Sequence, residues 1–195
     1  MEAPQTGSGT RLDTGPDTAS ETARIRAAIR AIPDHPKPGI TFRDVTPLMG
    51  DPRAMGDAIR LLARAAQGRG VSKVAGIEAR GFVFGAALAA RLEVGFVPIR
   101  KLGKLPLDTY RRSYTLEYGE DTLEMHKDAA DADDIVLVVD DLLATGGTAH
   151  AACDLVGMAG ARVEACAFVI ELEGLGGRGL LEGEGHEVLS LMRFA

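Results

Sequence analysis

The most distinctive chemistry in the chain is a pair of adjacent carboxylates followed closely by a glycine-rich turn. Asp140 and Asp141 come directly after the apolar run 135–139, and a Thr-Gly-Gly-Thr sequence begins at Thr145. Carboxylates accept hydrogen bonds from sugar hydroxyls, whereas glycine amides, threonine hydroxyls and a helix N-terminus donate to phosphate. This polarity fits a ribose 5-phosphate, with its hydroxyls on the aspartates and its phosphate in the turn.

Other interpretations of this segment stay open on residue types alone. Thr145 could simply cap the next helix while the aspartates end the strand, or the segment could hold a mononucleotide or a dinucleotide. It is not a P-loop, because no Gly-Lys-Ser or Gly-Lys-Thr follows. It also lacks the G-x-G-x-x-G spacing of the dinucleotide motif, and two acids precede its glycines.

Basic side chains follow two further apolar runs. The run 71–77 leads into Glu78-Ala79-Arg80-Gly81-Phe82, where an arginine at a helix start would suit a pyrophosphate. Taken alone, Arg80 is a weak signal, because arginines at helix starts are common and mostly solvated. The segment 101–114 carries four cations against the single acid Asp108, and taken alone it is equally a solvated basic loop. Its cations are Lys101, Lys104, Arg111 and Arg112.

Alternating apolar runs and helix-forming segments must position these residues. They predict an α/β fold with a mainly parallel twisted sheet and helices on both faces, in which ligands bind beyond the carboxyl ends of the strands. The predicted strands are 71–77, 95–99, 114–118, 122–126, 135–139 and 163–172, with the third and fourth forming a hairpin around Gly119. The predicted helices are 21–31, capped by Ser20, then 51–67, 81–92 and 146–159.

Composition limits the class of protein. The chain has 195 residues, of which 46% are hydrophobic and 26% charged, which is typical of a globular domain. We expect one domain over 21–195 after a disordered tail over 1–20, which is rich in Thr, Gly, Pro and Ser. The net charge of −6 argues against a nucleic-acid partner. The longest uncharged apolar run is too short to span a membrane, and no secretory signal is evident, so a cytoplasmic location is expected.

The string Val-Asp-Asp-Leu-Leu-Ala-Thr-Gly-Gly-Thr resembles the phosphoribosyl pyrophosphate (PRPP) motif of type I phosphoribosyltransferases, and above all that of the adenine-specific members. The resemblance implies that Asp140 and Asp141 meet the ribose hydroxyls. It assigns pyrophosphate binding to the loop after the first strand, often with an unusual cis peptide, and to the basic segment. The implied 5-phosphate residues are Ala144, Thr145, Gly146, Gly147 and Thr148. The implied pyrophosphate residues are Glu78, Ala79, Arg80, Lys101 and Lys104.

The resemblance also assigns two mobile or covering elements. The segment 101–114 corresponds to a flexible lid, in which Gly103 to Pro106 match the family and Leu107 stands where a glycine is expected. Beyond it, Leu-Glu-Tyr-Gly implies that Glu117 handles the proton of the base and that Tyr118 contacts the ligand. Taken alone, Glu117 would be a solvent-facing strand residue.

A rigid proline-rich segment near the N-terminus corresponds to the family's hood, at about 33–47. By resemblance, Phe42 stacks on the purine and the backbone around Thr41 and Arg43 reads its edge. Taken alone, the same segment is a connector with Phe42 in the core.

The implied reaction converts adenine and PRPP to AMP and pyrophosphate, as a purine-salvage step in a homodimer. Mg²⁺ is expected to be carried mainly by PRPP and pyrophosphate, with no metal ligand set of the protein's own. Two alternatives remain. A 6-oxopurine enzyme of this family would use a lysine on the strand after the PRPP motif, yet no lysine follows Lys127. A PRPP-sensing regulator would need a DNA-reading element, and this acidic chain offers room for only one short helix before the hood.

Overall fold

The computed structural model describes residues 16–116 and 119–195. Glu117 and Tyr118 lie outside the described residues, as does most of the predicted N-terminal tail. The helices are α1 (Pro16–Ala28), α2 (Thr46–Gly50), α3 (Pro52–Ala66), α4 (Arg80–Leu92), α5 (Gly147–Met158) and α6 (Gly177–Gly183). The strands are β1 (Arg30–Ile32), β2 (Phe42–Asp44), β3 (Lys73–Ile77), β4 (Gly95–Lys101), β5 (Thr109–Leu116), β6 (Gly119–His126), β7 (Ile135–Leu143), β8 (Arg162–Leu172) and β9 (Val188–Phe194).

Seven strands form the central sheet in the order β5-β6-β4-β3-β7-β8-β9. Strands β4, β3, β7, β8 and β9 run parallel, while β6 pairs antiparallel with β4 and with β5. The mainly parallel α/β sheet predicted from the sequence is therefore confirmed. The antiparallel hairpin β5–β6 extends one edge.

The sheet is covered on both faces, because successive residues of its central strands enter different hydrophobic clusters. Leu137 and Val139 of β7 belong to a cluster with α1 to α4, whereas Val136 and Val138 belong to a second cluster with α5 and the β5–β6 hairpin. These four side chains have no solvent exposure. A strand buried on both faces reads as a continuous apolar run, which is why the sequence predicted it.

Several element boundaries differ from those predicted. Helix α1 begins at Pro16 and ends at Ala28, so the predicted start at Ser20 and end near Ala31 were both wrong. Residues 30–32 instead pair with β2 as a small antiparallel ribbon, and Pro33 disfavours continuing the helix just before it. Helix α3 follows the prediction, because Asp51 accepts bonds from the Arg53 and Ala54 amides at 2.8 and 3.0 Å.

The C-terminal segment contains two elements that the sequence did not reveal. Residues 177–183 form α6, and residues 188–194 form β9, which extends the sheet in parallel beside β8. In the part of the chain that the structure describes, no helix is long and apolar enough to cross a membrane.

Candidate active site

Parallel pairing brings the ends of three strands to one edge of the sheet. Strand β3 pairs with β4 on one side and β7 on the other, with Ile77 opposite Ile99 and Gly76 opposite Val139. The segments that continue from these strands therefore meet at one place. Most of the groups predicted to bind ribose, phosphate and pyrophosphate lie on these segments, and the others lie in the last residues of β4 and β7.

The predicted 5-phosphate turn joins β7 to α5 beside a cleft of about 150 Å³. Gly146 has a φ of 88°, a left-handed conformation that glycine adopts without strain. The first bond of the helix runs from the His150 amide to the Gly146 carbonyl at 2.8 Å. Amides that precede this bond have no acceptor within the helix, so they can donate to an anion. The cleft is lined by Asp140, Leu142, Leu143, Ala144, Thr145, Gly146, Thr148 and Ala149.

The two predicted ribose-binding carboxylates lie within β7 rather than beyond its end, because the strand continues to Leu143. Asp140 accepts a bond from the Asp141 amide at 2.8 Å. Burial, together with the neighbouring charge of Asp141, raises the pKa of Asp140 well above its usual range. A Cβ on Gly81 would lie 2.8 Å from Oδ1 of Asp140, so α4 approaches this carboxylate as closely as it does only because residue 81 is glycine.

Arg80, predicted to hold pyrophosphate, is paired with a carboxylate predicted to hold ribose. Its Nε donates to Oδ2 of Asp141 at 2.5 Å, and the Asp141 side chain is 6% exposed. The hydrogen bond to Asp141 raises the pKa of Arg80. The pair uses Nε of Arg80 and Oδ2 of Asp141, so a ligand that contacts both side chains competes with the pair for these two atoms.

The loop before Arg80 is held by its own ion pair. The Glu78–Ala79 peptide is cis, as expected for the resembling family. Arg100 donates to the two carboxylate oxygens of Glu78 at 3.2 and 3.3 Å, and the Lys101 amide donates to Oε2 at 3.0 Å. Burial acts to raise the pKa of Glu78, but these donors outweigh it and the pKa lies below its usual value.

The two predicted pyrophosphate lysines differ in their surroundings. Lys101 at the end of β4 donates to Asp121, and to the Tyr114 hydroxyl at 2.8 Å. Burial acts to lower the pKa of Lys101, yet these partners outweigh it and raise the pKa. The Lys104 side chain is exposed, while its backbone amide donates to Glu124 at 2.9 Å.

The segment 101–114, predicted to be a lid, is partly regular structure. Residue 101 ends β4, and residues from Thr109 onward belong to β5, which pairs with β6 along its whole length. Leu107 has a φ of 66° and is 85% exposed. This backbone conformation explains why a glycine is expected there, and it makes Leu107 a strained residue.

Glu117 and Tyr118 lie outside the described residues, so their predicted roles stay predictions. The strands on either side are described, and Leu116 pairs with Gly119. The two residues therefore connect β5 to β6.

The predicted purine hood is a short ribbon of β1 and β2. Phe42 is half-buried and lies edge-on to the His35 ring, with centroids 5.4 Å apart, so the alternative of a core phenylalanine is not supported. Thr41 is exposed. The Arg43 guanidinium lies 4.3 Å from the Phe194 ring centroid. The side chain of Arg43 thus packs on β9, a contact that the sequence did not predict.

Sequence reasoning missed the acidic and basic partners of the predicted site. Asp121, Tyr114 and Arg100 hold the predicted lysine and the pyrophosphate loop, and each comes from a strand whose pairing decides the contact. Asp44 at the end of β2 accepts from the Thr46 amide at 2.9 Å and pairs with Arg30, and the hydrogen bonds from Thr46 lower its pKa.

A comparison with known protein families identifies the general class of this chain. A family model described as "Phosphoribosyl transferase domain" matches residues 51–179. The matched range contains β3, β4, β7 and the turn after β7, so the fold and this edge of the sheet are those of a phosphoribosyltransferase of type I fold.

Individual relatives with high identity to this chain identify the family within that class. The adenine phosphoribosyltransferase of Rhizobium meliloti (strain 1021) is 55% identical over 172 residues, covering 88% of this chain and 96% of the relative. The crystal structure of adenine phosphoribosyltransferase from Thermoanaerobacter pseudethanolicus superposes with a TM-score of 0.84 at 49% identity, covering 89% of this chain and 99% of that one. The Saccharomyces cerevisiae enzyme, complexed with an imino-altritol bisphosphate and adenine, gives 0.83 at 38% identity, covering 89% and 99%. The chain belongs to the adenine phosphoribosyltransferase family.

Proposed function

We propose that this chain transfers the 5-phosphoribosyl group of PRPP to N9 of adenine, giving AMP and pyrophosphate. The bond from the anomeric carbon to the pyrophosphate oxygen breaks, the bond to N9 forms, and the N9 proton leaves to an acceptor. One observation carries the proposal: parallel pairing of β3, β4 and β7 brings two carboxylates, an amide-rich turn and a cationic loop to one edge. These groups match the ribose, the 5-phosphate and the pyrophosphate of PRPP.

The chain's contribution to the chemistry is mainly positioning and charge. The transition state carries positive charge on the ribose ring and increasing negative charge on the leaving pyrophosphate. Asp140 and Asp141 accept from the ribose hydroxyls, while Arg80 and Lys101 stabilise the departing oxygens. Holding reactants in line and offering fixed donors to developing charge supply most of the catalysis in such a site.

In this proposal, the connection between β5 and β6 supplies the acceptor for the N9 proton. Glu117 accepts the N9 proton as the base attacks, and Tyr118 contacts the ligand beside it. A carboxylate in this role contributes about 10²–10⁴-fold to the rate.

Mg²⁺ is proposed to enter with PRPP. The donor set on the chain is oxygen-rich but small, namely the carboxylates of Asp140 and Asp141, and this fits a hard cation bound largely through substrate oxygens and water. When bound, the ion neutralises charge on pyrophosphate. The two carboxylates would contribute by fixing the ribose hydroxyls.

Base selection is assigned to the hood. Adenine presents an amino donor at C6 and an acceptor at N1, whereas a 6-oxopurine presents the opposite pattern. Backbone carbonyl and amide groups at Thr41 to Arg43 can satisfy the adenine edge, with Phe42 stacked on the ring. Strand β8, where a 6-oxopurine enzyme would carry its lysine, contains none.

A panel of bases with PRPP and Mg²⁺ tests the proposal by following nucleotide and pyrophosphate release. Adenine is expected to be turned over, while hypoxanthine and guanine are rejected by as much as about 10⁴-fold, because mismatched buried polar edges go unpaired. Comparable efficiency with hypoxanthine would favour the 6-oxopurine alternative. Binding of PRPP without turnover of any base would favour the regulator.

We further propose a homodimer that acts in the cytoplasm. Closed twofold dimers are the commonest assemblies of soluble chains, and the family resemblance implies one here. Sedimentation should give a particle of twice the 20.5 kDa chain mass. A particle of the single-chain mass at working concentration would contradict the dimer.

A further inference from the structure

We infer that helix α6 positions the 5-phosphate turn and that Gly177, its first residue, is the positioning residue. The inference rests on the proposed function, since it concerns the same phosphate turn. Gly146 of the turn and Gly177 of α6 meet backbone against backbone: a Cβ on Gly146 would lie 3.0 Å from both the Cα and the carbonyl oxygen of Gly177. The third neighbour of that Cβ position is Cδ2 of Leu180, also on α6, at 3.2 Å.

Gly177 leaves no room for a side chain. A Cβ there would lie 2.3 Å from the Ala144 carbonyl oxygen, 2.8 Å from Cδ1 of Leu143 and 3.0 Å from the Gly146 amide nitrogen. Two of these three atoms are backbone and cannot swing aside as a flexible side chain would. Even the single methyl group of alanine must therefore displace either the turn or the helix.

A hydrogen bond links the contact to phosphate binding. The Gly177 amide donates to the Ala144 carbonyl at 3.1 Å. In a planar trans peptide the carbonyl and the following N–H point in opposite directions, so fixing the Ala144 carbonyl on α6 directs the Thr145 N–H away from the helix. This bond therefore sets the orientation of one amide in the turn predicted to hold the 5-phosphate.

Arg178, next to Gly177, fixes α6 to the sheet. It donates to both carboxylate oxygens of Glu171 on β8 at 2.8 and 2.6 Å, to the Val188 carbonyl at 2.9 Å and to the Ser190 hydroxyl at 3.1 Å. Leu181 of the same helix is fully buried. Because the helix is tied to β8 and β9, a methyl group at residue 177 should move the turn more readily than the helix.

The test compares Gly177→Ala with Gly179→Ala, a substitution in the same helix where a Cβ meets nothing within 4 Å. Both add one methyl group to α6. We expect Gly177→Ala to raise the KM for PRPP and the Ki of ribose 5-phosphate about ten- to a hundredfold, the size of losing a bond to a charged group, while the KM for adenine stays unchanged. Gly179→Ala should match wild type in all three constants. A folded Gly177→Ala protein with the constants of Gly179→Ala would overturn the inference.

A second pair covers failure of Gly177→Ala to fold. Arg178→Lys keeps the charge but loses the planar fork that reaches both Glu171 and β9. It should shift the PRPP and ribose 5-phosphate constants in the same direction by a smaller factor. Arg162→Lys is its control, because Arg162 forms an exposed pair with Glu164 at the start of β8. Equal constants for Arg178→Lys and Arg162→Lys would contradict the role of α6.

Direct binding of ribose 5-phosphate, measured by calorimetry on the full chain, separates this inference from the proposed function. If wild type binds it, Gly177→Ala does not, and no base is turned over, the positioning role holds and the proposed reaction fails. If adenine is turned over and both proteins bind ribose 5-phosphate equally, the reaction holds and the positioning role fails.

Discussion

The two regions of the site that are predicted to bind anions differ in the kind of donor they offer. The turn after β7 offers neutral backbone amides, and its conformation depends on glycines and on contact with α6. In the part of the chain that the structure describes, no side chain caps the helix that begins there. At the ends of β3 and β4 the donors are charged side chains that already hold carboxylates of the same chain, Arg80 on Asp141 and Lys101 on Asp121. We expect the first region to be preformed for its ligand, and the second, the exchanging region, to bind its ligand in competition with its own carboxylates.

This difference implies that the exchanging region also affects ribose binding. While Arg80 holds Asp141, Oδ2 of that carboxylate is bonded to a cation. If pyrophosphate draws Arg80 away, as we expect, Asp141 loses a competitor for the sugar hydroxyls. We therefore expect binding at the pyrophosphate end to be coupled to capture of the ribose through one side-chain pair.

We expect the largest effect from a residue outside both regions, because both regions are predicted only to position PRPP. Glu117→Gln should lower kcat about 10²–10⁴-fold because the proton acceptor is lost, with the KM for PRPP unchanged. Glu120→Gln, on the exposed part of the same hairpin, is the matched control and should leave kcat at the wild-type value. A kcat for Glu117→Gln equal to the control would assign proton transfer to another group.

The next effect isolates the exchanging region. Arg80→Gln should weaken PRPP and pyrophosphate about ten- to a hundredfold, because a charge-assisted bond is lost, while inhibition by ribose 5-phosphate is equal to wild type or stronger, because Asp141 loses a competing cation. Arg162→Gln removes an exposed arginine outside the site and should change neither constant. Equal weakening of pyrophosphate and ribose 5-phosphate by Arg80→Gln would erase the distinction between the regions.

We expect a smaller effect on ribose 5-phosphate from a side chain of the preformed turn, because backbone amides supply most of the donors there. Thr145→Val keeps the shape of the side chain but removes its hydroxyl, and should weaken ribose 5-phosphate about two- to tenfold without affecting pyrophosphate. Thr122→Val removes an exposed hydroxyl that bonds Ser113 on the hairpin and serves as control. Steady-state inhibition constants for the two anions decide the outcome, and a pyrophosphate effect as large as the ribose 5-phosphate effect would count against it.

The smallest effect is thermodynamic and concerns Asp140. Its folded-state pKa is raised by burial and by Asp141, so the native state binds the proton more tightly than the unfolded chain and loses stability as pH rises through the folded pKa. Asp140→Asn removes that loss. The variant should therefore gain in free energy of unfolding over wild type as pH rises above the unfolded pKa of about 3.9, even though it loses activity.

Asp134→Asn is the control of opposite sign. Burial acts to raise the pKa of Asp134, but hydrogen bonds from Lys73 and Ser72 outweigh it and lower the pKa. The wild-type advantage over this variant should be present at neutral pH and be lost as pH falls through the folded pKa. Denaturant unfolding across pH measures both, and parallel curves for Asp140→Asn and wild type would refute the Asp140 prediction.

The sequence predicted the elements whose signals are local. The buried strand β7, the Asp51 cap of α3 and the glycine turn after Ala144 all follow from residue types and spacing. It failed for residues 30–32, where pairing with β2 overrides a helical pattern, and for α6 and β9, where a glycine-rich stretch carries no clear periodicity.

The candidate site likewise contains features that the sequence predicted and features that it did not. The phosphate turn and the carboxylates could be located from one contiguous segment, whereas the pairing of Arg80 with Asp141 depends on β3 lying beside β7. The contact between Gly177 and Ala144 depends equally on a helix that the sequence did not predict. Such contacts between distant segments are set by the register of the sheet and not by residues near either partner in the chain.

A crystal structure of the chain with PRPP, Mg²⁺ and the unreactive base 9-deazaadenine tests the central claim most directly. We expect the 5-phosphate on the amides of Ala144 to Thr148, the ribose hydroxyls on Asp140 and Asp141, and the base against Phe42. We also expect Arg80 to have left Asp141 for the pyrophosphate. PRPP bound with the Arg80–Asp141 pair intact, or with its 5-phosphate outside the turn, would contradict it.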